Sequence, residues 1–230
     1  MLQLPKVIGH RGAAAYAPEN TLACFREAKK RGATWVETDV KLTADGVPIL
    51  MHDESLKRTT GVDRLVARTR RAELPPGVPT FEEAIACFGA LGLGCNVEIK
   101  PCPGREVETA RVAVETLRRC WPAHLPPPLL SSFKDASLVA ARDSAPEFAR
   151  AILLDAFVED WRARAAMVGA LGVNTNGEKL TAPWCCAIKR TGFALSVYTI
   201  DEPAVARALV GMGVDCVITN APDLILAALA

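Results

Sequence analysis

Residues 95–120 read CNVEIKPCPGREVETARVAVETLRRC. Cys95 to Lys100 has the character of a strand and Arg105 to Cys120 that of a helix. The same strand-then-helix unit recurs downstream. Leu129-Leu130-Ser131 precedes a helix over Asp135 to Arg142, and Ala149 to Leu154 precedes Val158 to Gly169. Leu171 to Asn174 precedes Thr181 to Thr191, which Pro183 opens. Phe193 to Thr199 precedes Glu202 to Met212, and Val214 to Thr219 precedes Pro222 to Leu229. Upstream, Lys6 to His10 precedes a helix over Thr21 to Arg31, started near Asn20 and stopped by Gly32. Thr34 to Leu42 is a further strand. The strands fall near residues 7, 37, 97, 130, 152, 172, 196 and 217.

Strictly alternating strands and helices imply a parallel sheet. Eight such units in 230 residues favour a single (β/α)8 TIM-type barrel of the α/β class. A doubly wound open sheet normally has fewer strands and a glycine-rich first turn, whereas the first turn here is His10-Arg11-Gly12-Ala13. The rhythm breaks once. A turn at Asp45-Gly46 leads into an extended piece, Val47 to Met51. Residues 54–79, with Lys57, Arg58, Arg64, Arg68, Arg70, Arg71 and Pro75-Pro76-Gly77, then read as a short irregular insertion after strand two. Thr80 and Glu83 form a capping box that opens a short helix to about Phe88. No linker is visible, so residues 1–230 are expected to form one barrel domain.

Hydrophobic residues make up 50% of the chain and aromatic ones only 6%, which predicts a large, mainly aliphatic core. Lys plus Arg (27) nearly cancels Asp plus Glu (26). That balance offers no broad field for nucleic acid or an anionic membrane, so any anion must be gripped locally. No apolar run is long enough to span a bilayer. There are eight cysteines, with no Cys-x-x-Cys spacing. The N-terminus runs straight into a strand without the pattern of a signal peptide. Reduced, buried thiols and a cytoplasmic location are expected.

A β/α barrel places its chemistry at the C-terminal ends of its strands. The polar residues there are His10 and Arg11, Glu37 and Asp39, His52 and Asp53, Glu98 and Lys100, Ser131, Asn174 and Asn176, Tyr198 and Thr199, and Thr219 and Asn220. Glu37 and Asp39 are two apart on a strand and share a face, as do Glu98 and Lys100. Three converging carboxylates repel unless a cation lies among them, and oxygen-only ligation suits Mg2+ or Ca2+ better than zinc. Salt bridges to Lys41, Lys100 and Arg11 are the alternative. His10 and His52 suit an acid–base pair, while His124, in a Pro-flanked loop, looks incidental. With one divalent ion, three carboxylates and the charges of Arg11 and Lys100, a phosphodiester would leave the site nearly neutral.

His10-Arg11-Gly12, Pro18-Glu19-Asn20-Thr21, Glu37-Thr38-Asp39-Val40, Asp45-Gly46, His52-Asp53, Thr59-Thr60-Gly61, Glu98-Ile99-Lys100-Pro101 and Gly213-Val214-Asp215 to Thr219-Asn220-Ala221-Pro222 occur in that order. Together they resemble the glycerophosphodiester phosphodiesterase family, in its bacterial cytosolic branch. The resemblance implies metal-dependent hydrolysis of a small glycerophosphodiester to sn-glycerol 3-phosphate and an alcohol. It implies that His10 and His52 are the acid–base pair, that Glu37, Asp39 and Glu98 hold the cation, and that Arg11 and Lys100 bind phosphate. Tyr198 stands where the family usually carries tryptophan, on the wall against the leaving group, and Asn220 where Asp is common. Glu19 and Asn20 shape the first loop, and Asn20 is also placed to cap the first helix. Two other functions compete. A lysophospholipase D-like activity needs an apolar rim, which the basic 54–79 stretch does not suggest. A non-catalytic phosphate-ester binding module would be expected to lack a histidine or a carboxylate, and none is missing.

Overall fold

The computed structural model describes residues 2–230. Eight strands close into a ring: β1 (Val7–Gly9), β2 (Trp35–Leu42), β4 (Gly94–Ile99), β5 (Leu129–Ser132), β6 (Ala149–Leu154), β7 (Gly172–Asn176), β8 (Ala194–Tyr198) and β9 (Cys216–Thr219). Each pairs in parallel with its neighbours, and β9 returns to β1. This is a TIM-type barrel. A short strand, β3 (Pro48–Leu50), lies outside the ring, pairs antiparallel with β2 and bridges Thr80 through Ile49. It is the extended piece expected after Asp45-Gly46. Three residues suffice because Leu50 N–H finds Pro79 O at 3.1 Å and Met51 N–H finds Asp39 O at 3.1 Å. This small hairpin delivers His52 to the barrel mouth.

The helices are α1 (Leu22–Lys30), α2 (Lys57–Thr60), α3 (Phe81–Leu91), α4 (Glu106–Cys120), α5 (Asp135–Ser144), α6 (Trp161–Val168), α7 (Ala182–Lys189), α8 (Pro203–Gly211) and α9 (Pro222–Ala228). The Thr80–Glu83 capping box opens α3 as expected. α7, α8 and α9 each carry proline in the first turn, where its missing N–H costs nothing. α1 is capped by Thr21, whose hydroxyl accepts from Cys24 N at 3.1 Å, and not by Asn20. None of the described helices is long and apolar enough to cross a membrane.

Alternation along the strands builds two environments. Val36, Val40, Val97 and Ile99 face outward and pack under Phe25, Phe81 and Phe88 of α1 and α3. On the other side of the ring, Ile152, Val173, Val197 and Val217 pack under Trp161, Trp184 and Ile188. The alternate residues face the barrel axis, where branched aliphatic side chains normally dominate. Here Glu37, Asp39, Asn96, Glu98, Ser131, Asn174 and Ser196 are all buried. So much buried polarity marks the axis as the place where the fold gives up packing for chemistry.

Residues 54–79 are less irregular than their composition suggests. They include α2, 3-10 turns at Val66–Arg68 and Arg71–Glu73, and a bridge between Ser55 and Leu65. Leu56, Val66 and Val78 pack with Ile49, Met51 and Cys102 into a small satellite core. The stretch is thus basic outside and apolar beneath.

Candidate active site

The loop after β1 is drawn very tight. A Cβ on Gly9 would lie 2.2 Å from Gly12 O, and one on Gly12, at φ +100°, would lie 2.7 Å from Cys24 Sγ. Only glycine fits either position. Arg11 (φ 51°) and Asn20 (φ 56°) adopt the left-handed region without being glycine. Such residues cost on the order of 1–3 kcal/mol each and persist only where their surroundings hold them. Arg11 N donates to Glu37 Oε2 at 3.0 Å, and Asn20 N donates to Arg11 O at 3.0 Å.

Glu37 and Asp39 on β2 meet Glu98 on β4, where Asp39 and Glu98 are register partners. One carboxylate oxygen from each lies within 4.8 Å of the others, and the residues are only 4%, 1% and 8% exposed. Burial opposes ionisation of Asp39, but Lys100 and Arg11 outweigh it and draw its carboxyl down to about 2. Burial and then the Asp39 charge push Glu98 up to about 7, and burial with its two acidic neighbours raises Glu37 as well. Three buried carboxylates therefore do not ionise together at neutral pH without further positive charge. An all-oxygen, buried donor set at a barrel mouth fits a hard divalent cation.

The cations expected to compete are present, but they flank the triad. Lys100 Nζ lies 2.9 Å from Glu98 Oε1 and 3.5 Å from Asp39 Oδ1. Arg11 Nε lies 3.3 Å from Asp39 Oδ2 without forming a hydrogen bond. Lys41 turns away and donates to Lys100 O at 2.9 Å. Asn20, displaced from the capping role, holds the triad instead: its Nδ2 donates to Asp39 Oδ2 at 2.8 Å, and its Oδ1 accepts from Thr38 Oγ1 at 2.7 Å.

His10 and His52 both line one cavity of about 250 Å³ with Arg11, Glu37, Glu98 and Lys100. Each imidazole is oriented through Nδ1. His10 Nδ1 donates to Asn220 Oδ1 at 2.8 Å, and Asn220 Nδ2 donates to Asp201 Oδ2 at 2.7 Å, which fixes the amide's direction. His52 Nδ1 lies 2.6 Å from Asp53 Oδ1. Nε2 of each ring is left for chemistry. Burial, then Arg11, lowers His10 to about 4, and burial also lowers His52. The two differ in their partner: a neutral amide for His10, a carboxylate for His52.

Residues 10–224 match the Glycerophosphoryl diester phosphodiesterase family. The chain belongs to that family. It is 28% identical to a glycerophosphodiester phosphodiesterase of Caldanaerobacter subterraneus subsp. tengcongensis, over 94% of each chain. It is 29% identical to one of Bacillus subtilis, over 94% of this chain and 84% of the relative. The solved structure of a phosphodiesterase from Oleispira antarctica, in complex with the product sn-glycerol-3-phosphate, superposes with a TM-score of 0.95 at 37% identity, covering 98% of this chain and 97% of that one. As a member of the family the chain is an enzyme, a phosphoric diester hydrolase.

Against that family background, three features of this phosphodiesterase stand out that its sequence did not announce. The first is Arg58, which reads as part of a solvated basic face. Its Nε and Nη2 take Asp53 at 2.6 and 3.1 Å, and its Nη1 and Nη2 take Glu19 at 2.8 and 2.7 Å. Glu19 also accepts from Arg11 Nη1 at 2.8 Å. One guanidinium thus ties the partner of His52 to the partner of Arg11, a geometry that lysine does not reproduce. Hydrogen bonds to Arg58, then to His52, hold Asp53 well below the usual carboxylate range. Arg58→Met is expected to lower kcat/KM about 10- to 100-fold, with little recovery in Arg58→Lys. Wild-type kcat/KM in Arg58→Met would show that the network is only surface pairing.

The second is Phe133, just past β5, which meets Tyr198 edge-on at 6.0 Å and lies 5.6 Å from Lys100 Nζ. Tyr198 OH donates to Leu154 O at 3.1 Å, so the phenol is spoken for and its ring is what it offers the cavity. The third, Asn96, lies on β4 two residues before Glu98 and also lines the cavity. Among the other candidates, Ser131 and Thr199 reach the cavity. Asn176 instead caps the 3-10 turn at Gly177–Lys179, Thr219 bonds Asp201, and the exposed His124 bonds Gly89 O. Cys102, the cysteine nearest the site in sequence, is buried, and burial raises its thiol, which argues against a thiolate nucleophile.

Proposed function

We propose that the chain hydrolyses glycerophosphodiesters to sn-glycerol 3-phosphate and an alcohol, as a single barrel unit with residues 54–79 as its insertion. The observation that carries this is a cluster of three buried carboxylates, two of which, Glu37 and Glu98, line one cavity with two imidazoles and two cations. Glu37, Asp39 and Glu98 would hold one Mg2+ or Ca2+, which when bound supplies Lewis-acid polarisation of a phosphoryl oxygen. Arg11 presents a planar fork and Lys100 a compact charge to the remaining phosphate oxygens.

The imidazole environments divide the proton work. Asp53 stabilises an imidazolium at His52, whereas Asn220 does not do so at His10, so His52 is the more readily protonated. His10 Nε2 takes the proton from the nucleophile, with Glu37 Oε2 at 4.0 Å to stabilise the charge that forms. His52 gives its proton to the departing alcohol. The Oleispira antarctica phosphodiesterase was solved in complex with sn-glycerol-3-phosphate as its product, which supports the same product here. The small soluble substrate and the eight free thiols, five buried, Cys87 and Cys120 half-buried and Cys186 exposed, fit the cytoplasm.

A second substrate class has one observation in its favour. His52 also borders a groove of about 400 Å³ whose walls include Pro18, Leu50, Met51, Pro76 and Val78. The 54–79 stretch therefore does contribute to an apolar rim beside His52, which would suit the acyl chain of a lysophospholipid. The test is release of glycerol 3-phosphate from glycerophosphocholine in Mg2+, Ca2+ or EDTA, beside cleavage of lysophosphatidylcholine. Metal-dependent turnover of the deacylated diester is expected. Turnover of the lysolipid alone would favour the second class, and no turnover of either would remove the hydrolytic function.

A further inference from the structure

The floor of the catalytic cavity carries two polar groups to which the chemistry above gives no work. Asn96 and Ser131 line the cavity beside Glu37 and Glu98: Asn96 is the register partner of Glu37, and Ser131 that of Glu98. Their exposures are 1% and 0%. Neither Asn96 Oδ1 nor Ser131 Oγ has a hydrogen-bond partner among the described residues. A buried acceptor and a buried hydroxyl left unmatched are costly, and such groups persist where a ligand or ordered water completes them. Leu153 and Ile218 line the same cavity.

We propose that Asn96 and Ser131 form a hydroxyl-reading floor that receives the terminal hydroxyl of the substrate's glycerol. This rests on the hydrolytic function proposed above and specifies how that site selects glycerol. Arg11 and Lys100 hold the phosphate at the mouth. The middle hydroxyl is on the carbon next to the ester carbon and stays near the phosphate. The terminal hydroxyl is one carbon further and is the group that reaches inward. There it donates to Asn96 Oδ1 and pairs with Ser131 Oγ, which can accept or donate. Deep polar groups of this kind reject an analogue that lacks the hydroxyl, because they are then left unpaired.

Ser196 provides a control, since its hydroxyl is equally buried and unmatched but does not line the cavity. The experiment compares glycerophosphocholine with the phosphocholine diester of propane-1,2-diol, which lacks the terminal hydroxyl. The ratio of kcat/KM values is expected to favour glycerol by roughly 30-fold or more in the wild type and in Ser196→Ala, and to fall toward one in Ser131→Ala and Asn96→Leu. The corresponding phosphate monoesters, titrated by calorimetry, should repeat the contrast in binding without turnover. A wild-type ratio near one, or a ratio unchanged in both cavity variants, would overturn the proposal and leave these groups to buried water. If the wild type turned over neither diester, the hydrolytic function would fail, and the binding contrast would still decide the floor.

Discussion

Replacing either His10 or His52 with alanine is expected to lower kcat by about 10³-fold, with KM changed far less. The reasoning is local to each ring. Both imidazoles are held through Nδ1, by Asn220 and Asp53 respectively, so each presents a preset Nε2 to the cavity. Removing one leaves the proposed phosphate grip of Arg11 and Lys100 intact, so ground-state binding should survive while a proton transfer loses its partner. The two variants should differ in one respect. With a substrate whose leaving group is a nitrophenol, which needs no protonation, His52→Ala should recover most of its activity and His10→Ala should not. Equal recovery, or none in either, would contradict the division of roles. Near-normal kcat in either variant on glycerophosphocholine would remove that histidine from the reaction.

Changing Glu98 to Gln should have opposite effects on activity and on metal-free stability. The variant keeps shape and a polar contact for Lys100 but removes one of the three proposed anionic ligands, so affinity for Mg2+ or Ca2+ should fall about 100-fold or more and activity with it. In the metal-free wild type, Glu98 titrates near 7 in the folded protein, above its ordinary value of 4.5. The folded state then binds more protons than the unfolded state between those two values. Stability contributed by the protonated group is therefore lost as pH rises through that window. In EDTA the wild type should melt lower at pH 8 than at pH 5.5, and Glu98→Gln should lose most of that difference. Adding the cation should raise the wild-type Tm more at pH 8 than at pH 5.5, because its ligands must be ionised to bind it. A wild-type Tm insensitive to the cation at pH 8 would speak against a shared ion.

The barrel was legible because parallel strands covered by helices read as short apolar runs between helical segments, and eight of them left little alternative to closure. Glu37, Asp39, Glu98 and Lys100 were legible for a related reason: same-face spacing on adjacent staves is a local property that survives folding unchanged. What escaped was tertiary in origin. Asn20 and Thr21 are both good capping residues, and local chemistry does not say which will cap. The choice is made by Asp39, nineteen positions away, which takes the Asn20 amide. Arg58 looks like any exposed arginine until the fold brings Glu19 and Asp53 to its two sides. The 54–79 stretch was read by its charges, while its apolar residues, spread thinly, gather only when Ile49 and Met51 of the β3 hairpin lie beneath them. Phe133 and Asn96 could have been found by the rule that found the rest, since one follows a strand end and the other shares a face with Glu98.

The claim on which everything else depends is that Glu37, Asp39 and Glu98 bind one cation between the two histidines. Diffraction from crystals soaked in Mn2+, recorded where manganese scatters anomalously, tests it most directly. One strong anomalous peak is expected within bonding distance of an oxygen from each of the three carboxylates, lost on soaking in EDTA and absent in Asp39→Asn. No peak there at saturating Mn2+ in crystals that still turn over substrate, or a peak held by other side chains, would contradict it.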